Sequence, residues 1–419
     1  MIKNYRFKNF QSYYDDTYVD FEVPSKAPHS YYDYETQYGS KVAKVMGIFG
    51  ANGSGKSNLL KPLSFAAWFV TSSFKKMDAD DKIPVITHFA SKNAPYEFEV
   101  ELVIPKREDN IEFEGLDFEY KYTFVLTKDR VLKEELKYKN HESKLYNRVF
   151  LREFDEESKS YKYKRSAAFP LGMKIISKCP DNCSLIAYVN RLLDDEAIDS
   201  SHITDIELVH SYFSLTVTNL TLSGRTEMST PDKITSVLDN NPELFERVKR
   251  LITRFDIGIK DIIIESKDVI SEKSGEVSSK KIPMFVHECD GEEYKLPLWL
   301  ESSGTQSAYI MTTVIAAKVD QGGMAILDEF DNDFNPMLTL EILELFKHES
   351  ENVSNSQLVF TTHTPQVLNI LRKQHVQLVE KSDNKSEVWR IDQIEGIRER
   401  DNLYAKYISG VLGGVPNFE

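Results

Sequence analysis

With 419 residues, 41% of them hydrophobic and 28% charged, the chain has the length and balance for one large or two ordinary soluble domains. No apolar run reaches the roughly 18 residues that a bilayer-spanning helix needs. The opening Met1-Ile2-Lys3-Asn4-Tyr5-Arg6-Phe7 lacks the unbroken apolar stretch of a secretory signal, so a cytoplasmic protein with no membrane partner is expected. A net charge of −14, from 66 acidic against 52 basic residues, argues against gripping nucleic acid as the main task, and three cysteines argue against a disulfide framework.

Along the chain, residues 1–24 alternate apolar and polar side chains, as in Tyr18-Val19-Asp20-Phe21-Glu22-Val23, which predicts strand. The stretch 25–41, rich in Ser and Tyr, predicts a surface loop. Val42 to Phe49 is a mostly apolar run that ends at a Gly-rich turn, and from Ser57 to Thr71 the apolar residues fall at helical spacing. Strand-like runs follow at Tyr96–Ile104, Tyr120–Leu126 and Leu132–Tyr138. Helical periodicity takes over around Leu185–Leu193 and again at Pro242–Phe255. Between about 130 and 285 no chemical motif occurs, and neither solenoid repeats nor a heptad run is present. That middle region is expected to be a lid or arm (130–285) inserted between an N-terminal lobe (1–129) and a C-terminal lobe (286–419). Lys162-Tyr163-Lys164-Arg165 is a local basic cluster, taken as a solvated loop or strand in preference to a nucleic-acid patch. Cys179 and Cys183 stand four apart and Cys289 is distant, too few ligands for a metal site.

The chemistry concentrates in four places. Gly50-Ala51-Asn52-Gly53-Ser54-Gly55-Lys56-Ser57 fits G-x-x-x-x-G-K-[ST] at every fixed position, between an apolar strand and a helix. Its glycines let backbone N–H groups face a phosphate, assisted by the helix dipole. Lys56 is placed to reach the β- and γ-phosphates, and the Ser57 hydroxyl to ligate magnesium. Gly323-Met324-Ala325-Ile326-Leu327-Asp328-Glu329 is an apolar strand ending in two carboxylates. Asp328 is expected to hold the magnesium through water, and Glu329 to polarise the attacking water. Ser302-Ser303-Gly304-Thr305-Gln306 opens a helical stretch, where small residues and a helix N-terminus favour an anion. Leu358-Val359-Phe360-Thr361-Thr362-His363 is a further apolar strand with a polar end.

In this order the four pieces resemble the ATP-binding cassette superfamily. The long separation of Ser57 from Gly304 resembles its SMC-like branch more than transporter subunits. Within that branch the chain is similar to the stand-alone ATPases of bacterial anti-phage operons, the RloA and AriA type, related to the overcoming-lysogenization-defect nucleases and to the Septu ATPase. The resemblance is carried by Asn9-Phe10-Gln11-Ser12-Tyr13, by the phosphate loop through Asn58, by Glu301–Gln306, and by the ending Tyr407-Ile408-Ser409-Gly410-Val411-Leu412-Gly413-Gly414-Val415-Pro416-Asn417.

The resemblance implies an α/β fold, a P-loop NTPase of the ABC-ATPase head type, with a mixed α/β N-terminal part and an inserted, largely helical middle. It also implies ATP with Mg2+, and a homodimer in which two heads sandwich two ATP molecules, with larger rings within the family's range. Lys56 and Ser57 of one copy, with Gly50, Asn52, Gly53, Gly55 and Asn58 around the nucleotide, would face Ser303 and Gly304 of the other. His363 would contact the γ-phosphate. Two departures stand out: where the family has Leu-His-Pro this chain has Phe334-Asn335-Pro336, and no glutamine is evident at the loop that completes the magnesium shell, near His88 and Phe89. The expected function is a sensor ATPase of an anti-phage system, dimerising on ATP and controlling a separately encoded effector such as a nuclease. The alternatives are an SMC-like DNA-repair ATPase, a transporter's energising subunit, and an ATPase with its own cryptic nuclease.

Overall fold

A computed structural model describes residues 1–105, 117–140, 142–196, 204–256, 258–270, 277–332 and 336–415. The alternating N-terminal run forms β1 (Ile2–Lys8) and β2 (Thr17–Asp20), joined by an irregular turn in which Asn9 and Gln11 take φ of 59° and 48°. Between 25 and 41 the expected loop contains one short paired piece, Asp33–Glu35 against Lys41–Ala43. Strand β3 (Val45–Gly50) then leads into α1 (Lys56–Lys76).

Next come β4 (Tyr96–Ile104), β5 (Phe118–Leu126), β6 (Val131–Asn140), β7 (Leu145–Asp155) and β8 (Ser160–Arg165). With β1 and β2 they make one antiparallel sheet in the order β8-β7-β6-β5-β4-β1-β2. The boundary expected at 130 therefore falls between two hydrogen-bonded neighbours, β5 and β6. The chain continues through α2 (Leu185–Glu196), α3 (Asp205–Ser214), β9 (Val217–Thr218), the hairpin β10 (Leu220–Thr221) and β11 (Gly224–Arg225), α4 (Pro231–Asp239) and α5 (Pro242–Phe255). A second antiparallel sheet, β12 (Asp261–Ile270), β13 (Val277–Cys289) and β14 (Glu292–Pro297), closes this region. The expectation of a largely helical middle is thus corrected: strand and helix share it. Strand β8 buries no residue outright, so the alternation that marks a half-buried strand is faint there. Its Lys162 is paired with Asp155 on β7.

The C-terminal part supplies α6 (Ser303–Gln321), β15 (Met324–Leu327), α7 (Pro336–Glu344), β16 (Gln357–Thr361), β17 (Val376–Ser382), β18 (Lys385–Arg390) and α8 (Leu403–Ile408). The core sheet runs β9-β15-β16-β3-β17-β18, parallel throughout except for β18. Strand alternation divides β3 between two cores. Met46 and Ile48 pack with Leu59, Leu60 and Leu63 of α1 and, beyond them, the aromatic face of the first sheet. Val45 and Phe49 pack with Ile315 and Val319 of α6 and with Leu338 and Ile342 of α7. Helix α1 is consequently the shared layer: Phe69 lies 5.2 Å from Phe124 of β5, ring to ring. No helix among the described residues is long and apolar enough to cross a membrane.

This topology sets where chemistry can occur. Strands β3, β15 and β16 are parallel neighbours with β16 in the middle, so Gly50, Asp328 and Thr362 emerge from the same edge. In open α/β sheets the carboxyl edge is where ligands bind.

Candidate functional site

The phosphate loop is shaped by positions where a side chain would not fit. A Cβ on Gly50 would lie 2.4 Å from the Val379 carbonyl oxygen, and one on Gly55 2.3 Å from Ser386 Oγ. Gly53 and Gly55 take φ of +76° and +112°, a region that glycine enters without cost. Ser386 of β18 buttresses the turn, with its Oγ 2.6 Å from Ser54 O and 2.8 Å from Ser12 Oγ. Asn58 Nδ2 donates to the same Ser12 oxygen at 2.9 Å. The Asn9–Tyr13 turn and the loop thus form one braced unit, while Asn52 and Gly53 remain exposed and Ser57 half-buried.

Inside the loop, Lys56 Nζ donates to the carbonyls of Gly50 at 2.8 Å and Ala51 at 3.1 Å. Burial pulls this ammonium below the usual lysine range, against the opposing pull of the Asp328 and Glu329 carboxylates. Ser54 Oγ is buried with no hydrogen-bond partner among the described residues. A buried hydroxyl without a partner and a lysine satisfied only by loop carbonyls fit a cradle whose natural occupant is an oxyanion. Ser57 and Asp328 offer oxygen donors of the kind a hard divalent cation prefers.

The carboxylates follow β15 directly. Asp328 is buried, and its Oδ1 accepts from Thr361 Oγ1 at 2.7 Å. The same hydroxyl oxygen accepts from Glu329 N at 2.7 Å, so one threonine of the neighbouring strand registers both acids. Asn219 clamps the Asp328 backbone from the other side, donating to its carbonyl at 2.9 Å and accepting from its N–H at 2.8 Å. Glu329 itself is half-exposed and adopts φ 47°. Its Oε2 accepts from Arg225 Nη1 at 3.0 Å and Asn332 Nδ2 at 2.7 Å, and its Oε1 lies 3.8 Å from His363 Nε2. Asp331 fixes the histidine's backbone, accepting from His363 N at 3.2 Å and from the Thr364 hydroxyl.

Ser303 and Gly304 open α6, whose N-cap Ser302 accepts from Thr305 N at 3.1 Å. Ser303 shares a cavity of about 560 Å3 with Gln306, Met311, Arg225, Glu329 and Asn332. No residue of the loop Gly50–Ser57 lines that cavity. The structure therefore groups the phosphate loop, Asp328, Glu329 and His363 along one sheet edge, and places Ser303 on a cavity that it shares with Glu329 and that no residue of the loop lines.

Asn219 and Arg225 are site residues that the sequence does not announce. Both come from the motif-free middle, and no local spacing marks them; only the pairing of β9 beside β15 brings them in. Near the expected magnesium-loop position, His88 is buried, with Nε2 3.3 Å from Asn384 O and Nδ1 accepting from Ala90 N. Phe334 and Asn335, where the family's histidine would stand, lie outside the described residues, as do Pro416 and Asn417. Tyr407 of the C-terminal stretch packs on Phe49 with rings 5.7 Å apart and donates to Gly414 O at 3.2 Å. Cys179 and Cys183 are buried with sulfurs 3.8 Å apart, and Cys289 is exposed.

A family model described as "AAA domain, putative AbiEii toxin, Type IV TA system" matches residues 45–167 and 190–369. The match takes in the phosphate loop, the signature stretch, the acidic pair and His363. No curated protein is similar enough to this chain to count as a relative. Among solved structures it is similar to "Structure of the recombination mediator protein RecF-ATP in RecFOR pathway", at 12% identity over 93% of this chain and 95% of that one, with a TM-score of 0.26.

Proposed function

This chain belongs to the AAA-domain family described for the AbiEii toxin and type IV toxin–antitoxin systems, P-loop ATPases by fold, and from that footing we propose that it is an ATP-driven switch of bacterial anti-phage defence. It binds ATP with Mg2+, pairs two copies across two nucleotides, hydrolyses ATP, and governs a separately encoded effector in the cytoplasm. The observation that carries this reading is the split of the site. Lys56, Asp328, Glu329 and His363 share one sheet edge, while Ser303 opens on a cavity that the loop of its own chain does not reach. A signature so placed is available to a second copy.

The division of labour follows from the residues. Backbone N–H groups around Gly53 and Gly55, with Asn52 and Asn58 beside them, cradle the phosphates, and Lys56 leaves its loop carbonyls for the β- and γ-oxygens. Ser57 and Asp328 hold the cation, which when bound neutralises charge on those oxygens. Glu329 orients the attacking water, and His363 reaches the γ-phosphate. Ser303 and Gly304 of the second copy cover the same phosphate with a helix N-terminus. Closure then depends on the γ-phosphate, which makes the dimer a switch.

The test is to combine the purified protein with the product of the adjacent gene, with and without ATP. A complex whose activity responds to ATP is expected. No association, and no ATP-dependent change in the neighbour, would sink effector control. ATP turnover by the protein alone, together with ATP-dependent dimerisation in light scattering, tests the enzymatic half separately.

A further inference from the structure

The hairpin β10–β11 brings one cation to the acidic pair, and it does so from a braced scaffold. Asn219, just before the hairpin, holds the Asp328 backbone at both its N–H and its carbonyl. Thr226, just after it, donates its N–H to Asn219 O at 2.7 Å. Thr218 Oγ1 lies 3.1 Å from Ser64 Oγ of α1, and Gln11 Nε2 donates to Leu222 O at 3.4 Å. The hairpin is thereby tied to the β15 strand end, to the helix after the phosphate loop, and to the Asn9–Tyr13 turn. A mere surface ion pair needs no such mounting.

From that mounting Arg225 Nη1 donates to Glu329 Oε2 at 3.0 Å, the oxygen that also accepts Asn332 Nδ2 at 2.7 Å. The Glu329 backbone is fixed in turn by Thr361 at 2.7 Å. The carboxylate is thus held at its root and at one oxygen. Among the described residues Oε1 makes no comparable contact; its neighbour is His363 Nε2 at 3.8 Å.

We propose that Arg225 is a positioning residue for Glu329: together with Asn332 it occupies Oε2 and so presents Oε1 to the attacking water. This rests on the reading of Glu329 as the water-orienting base, and it names the residue that aims that base. Arg225 acts through the carboxylate and not on the nucleotide. Its removal frees the side chain to rotate within the cavity that both residues line, without disturbing the phosphate loop, which does not line it.

The experiment is steady-state Mg–ATP hydrolysis by the full chain, in five forms: wild type, Arg225→Ala, Arg225→Lys, Glu329→Gln and the double variant Arg225→Ala/Glu329→Gln. Arg225→Ala should lower kcat roughly 10- to 100-fold, the range expected when a reacting group is misplaced by about an ångström, and leave KM for ATP unchanged. Arg225→Lys, which keeps a cation but loses the planar fork, should recover part of the loss. In a Glu329→Gln background Arg225→Ala should cost nothing more, because the group it aims has gone. Native kcat in Arg225→Ala overturns the proposal, and so does an additive loss in the double variant, which would mean that Arg225 acts independently of Glu329. If Arg225→Ala fails to fold, Asn332→Ala carries the same test, with a lowered kcat at unchanged KM expected and a native kcat overturning it. A wild-type chain without turnover would overturn the ATPase reading itself. A wild type that outpaces Glu329→Gln while matching Arg225→Ala would overturn the aiming role alone.

Discussion

Two arginine–carboxylate pairs in this chain make opposite use of the same chemistry. Glu134, on β6 of the antiparallel sheet, is wholly buried. Its carboxylate accepts from Tyr122 Oη at 2.9 Å, Ser184 Oγ at 2.8 Å and Leu185 N at 2.8 Å, the last being the first residue of α2. Arg152 stands 3.9 Å away, donating to the carbonyls of Cys183 and Pro180 and stacking on Tyr161 with 4.3 Å to the ring centre. Burial pushes the Glu134 carboxyl up, while Arg152 and the helix amide oppose that shift. Glu329, by contrast, is half-exposed, sits in the left-handed backbone region, and among the described residues has one oxygen closely engaged. A fully satisfied buried acid cannot change partners without unfolding its surroundings, whereas a half-satisfied acid at a sheet edge can. The first pair fastens α2 to the sheet; the second leaves an acceptor for the chemistry proposed above.

The sharpest way to break this contrast is at the buried pair. Arg152→Ala leaves Glu134 in the interior without its cation, a change that costs about 3–5 kcal/mol in comparable buried pairs. Urea unfolding followed by circular dichroism should show the loss; a change under ~1 kcal/mol would mean that the cluster does not fasten the helix. At the exposed acid the same kind of change should spare the fold and strike turnover. Glu329→Gln is expected to reduce kcat by roughly 10²- to 10⁴-fold, the usual span for a general base, while ATP binding and the closed dimer persist. Turnover at the native rate would remove Glu329 from its assigned role.

The two regions also differ in how far they could be read from sequence. The phosphate loop, the run Met324–Leu327 with its two acids, and Leu358–Phe360 before Thr361 were legible because each couples a local period to a fixed set of residue types. Helix α5 begins and ends where its apolar spacing does, at Pro242 and Phe255. Strands β7 and β8 were not legible, since much of their length faces solvent and their charged residues pair across strands instead of alternating with apolar ones. Glu134 and Arg152 gave no sign of burial, because a buried charge is excused only by partners from distant segments. Arg225 and Asn219 were silent for the same reason: they matter through the placement of β9 next to β15, a long-range pairing that no local pattern encodes.

Lys56 lies between the two extremes, buried like Arg152 yet satisfied, among the described residues, by carbonyls of its own loop. Lys56→Ala should weaken ATP binding roughly 10- to 100-fold, the worth of a charge-assisted hydrogen bond of about 1.5–3 kcal/mol, measured by titration calorimetry. Burial lowers this lysine's pKa, so its charge is lost as pH rises, starting below the ordinary value of 10.5. ATP affinity should accordingly fall on the alkaline side for the native chain and hold in Lys56→Arg. An identical alkaline fall in both would locate the titrating group elsewhere.

The smallest effect separates strain from charge at Glu329. A non-glycine residue in the left-handed region costs about 1–2 kcal/mol, and the φ of 47° at Glu329 puts that cost at the acid proposed to orient the attacking water, not at the buried one. Glu329→Gln keeps the strain and removes the charge; Glu329→Gly removes both. The glycine variant should therefore be more stable than the glutamine variant by about 1 kcal/mol, read as a later urea midpoint at unchanged slope, although neither turns over ATP at the native rate. Equal midpoints would show that this backbone turn is relaxed and that the difference between the two acids lies in hydrogen bonding alone.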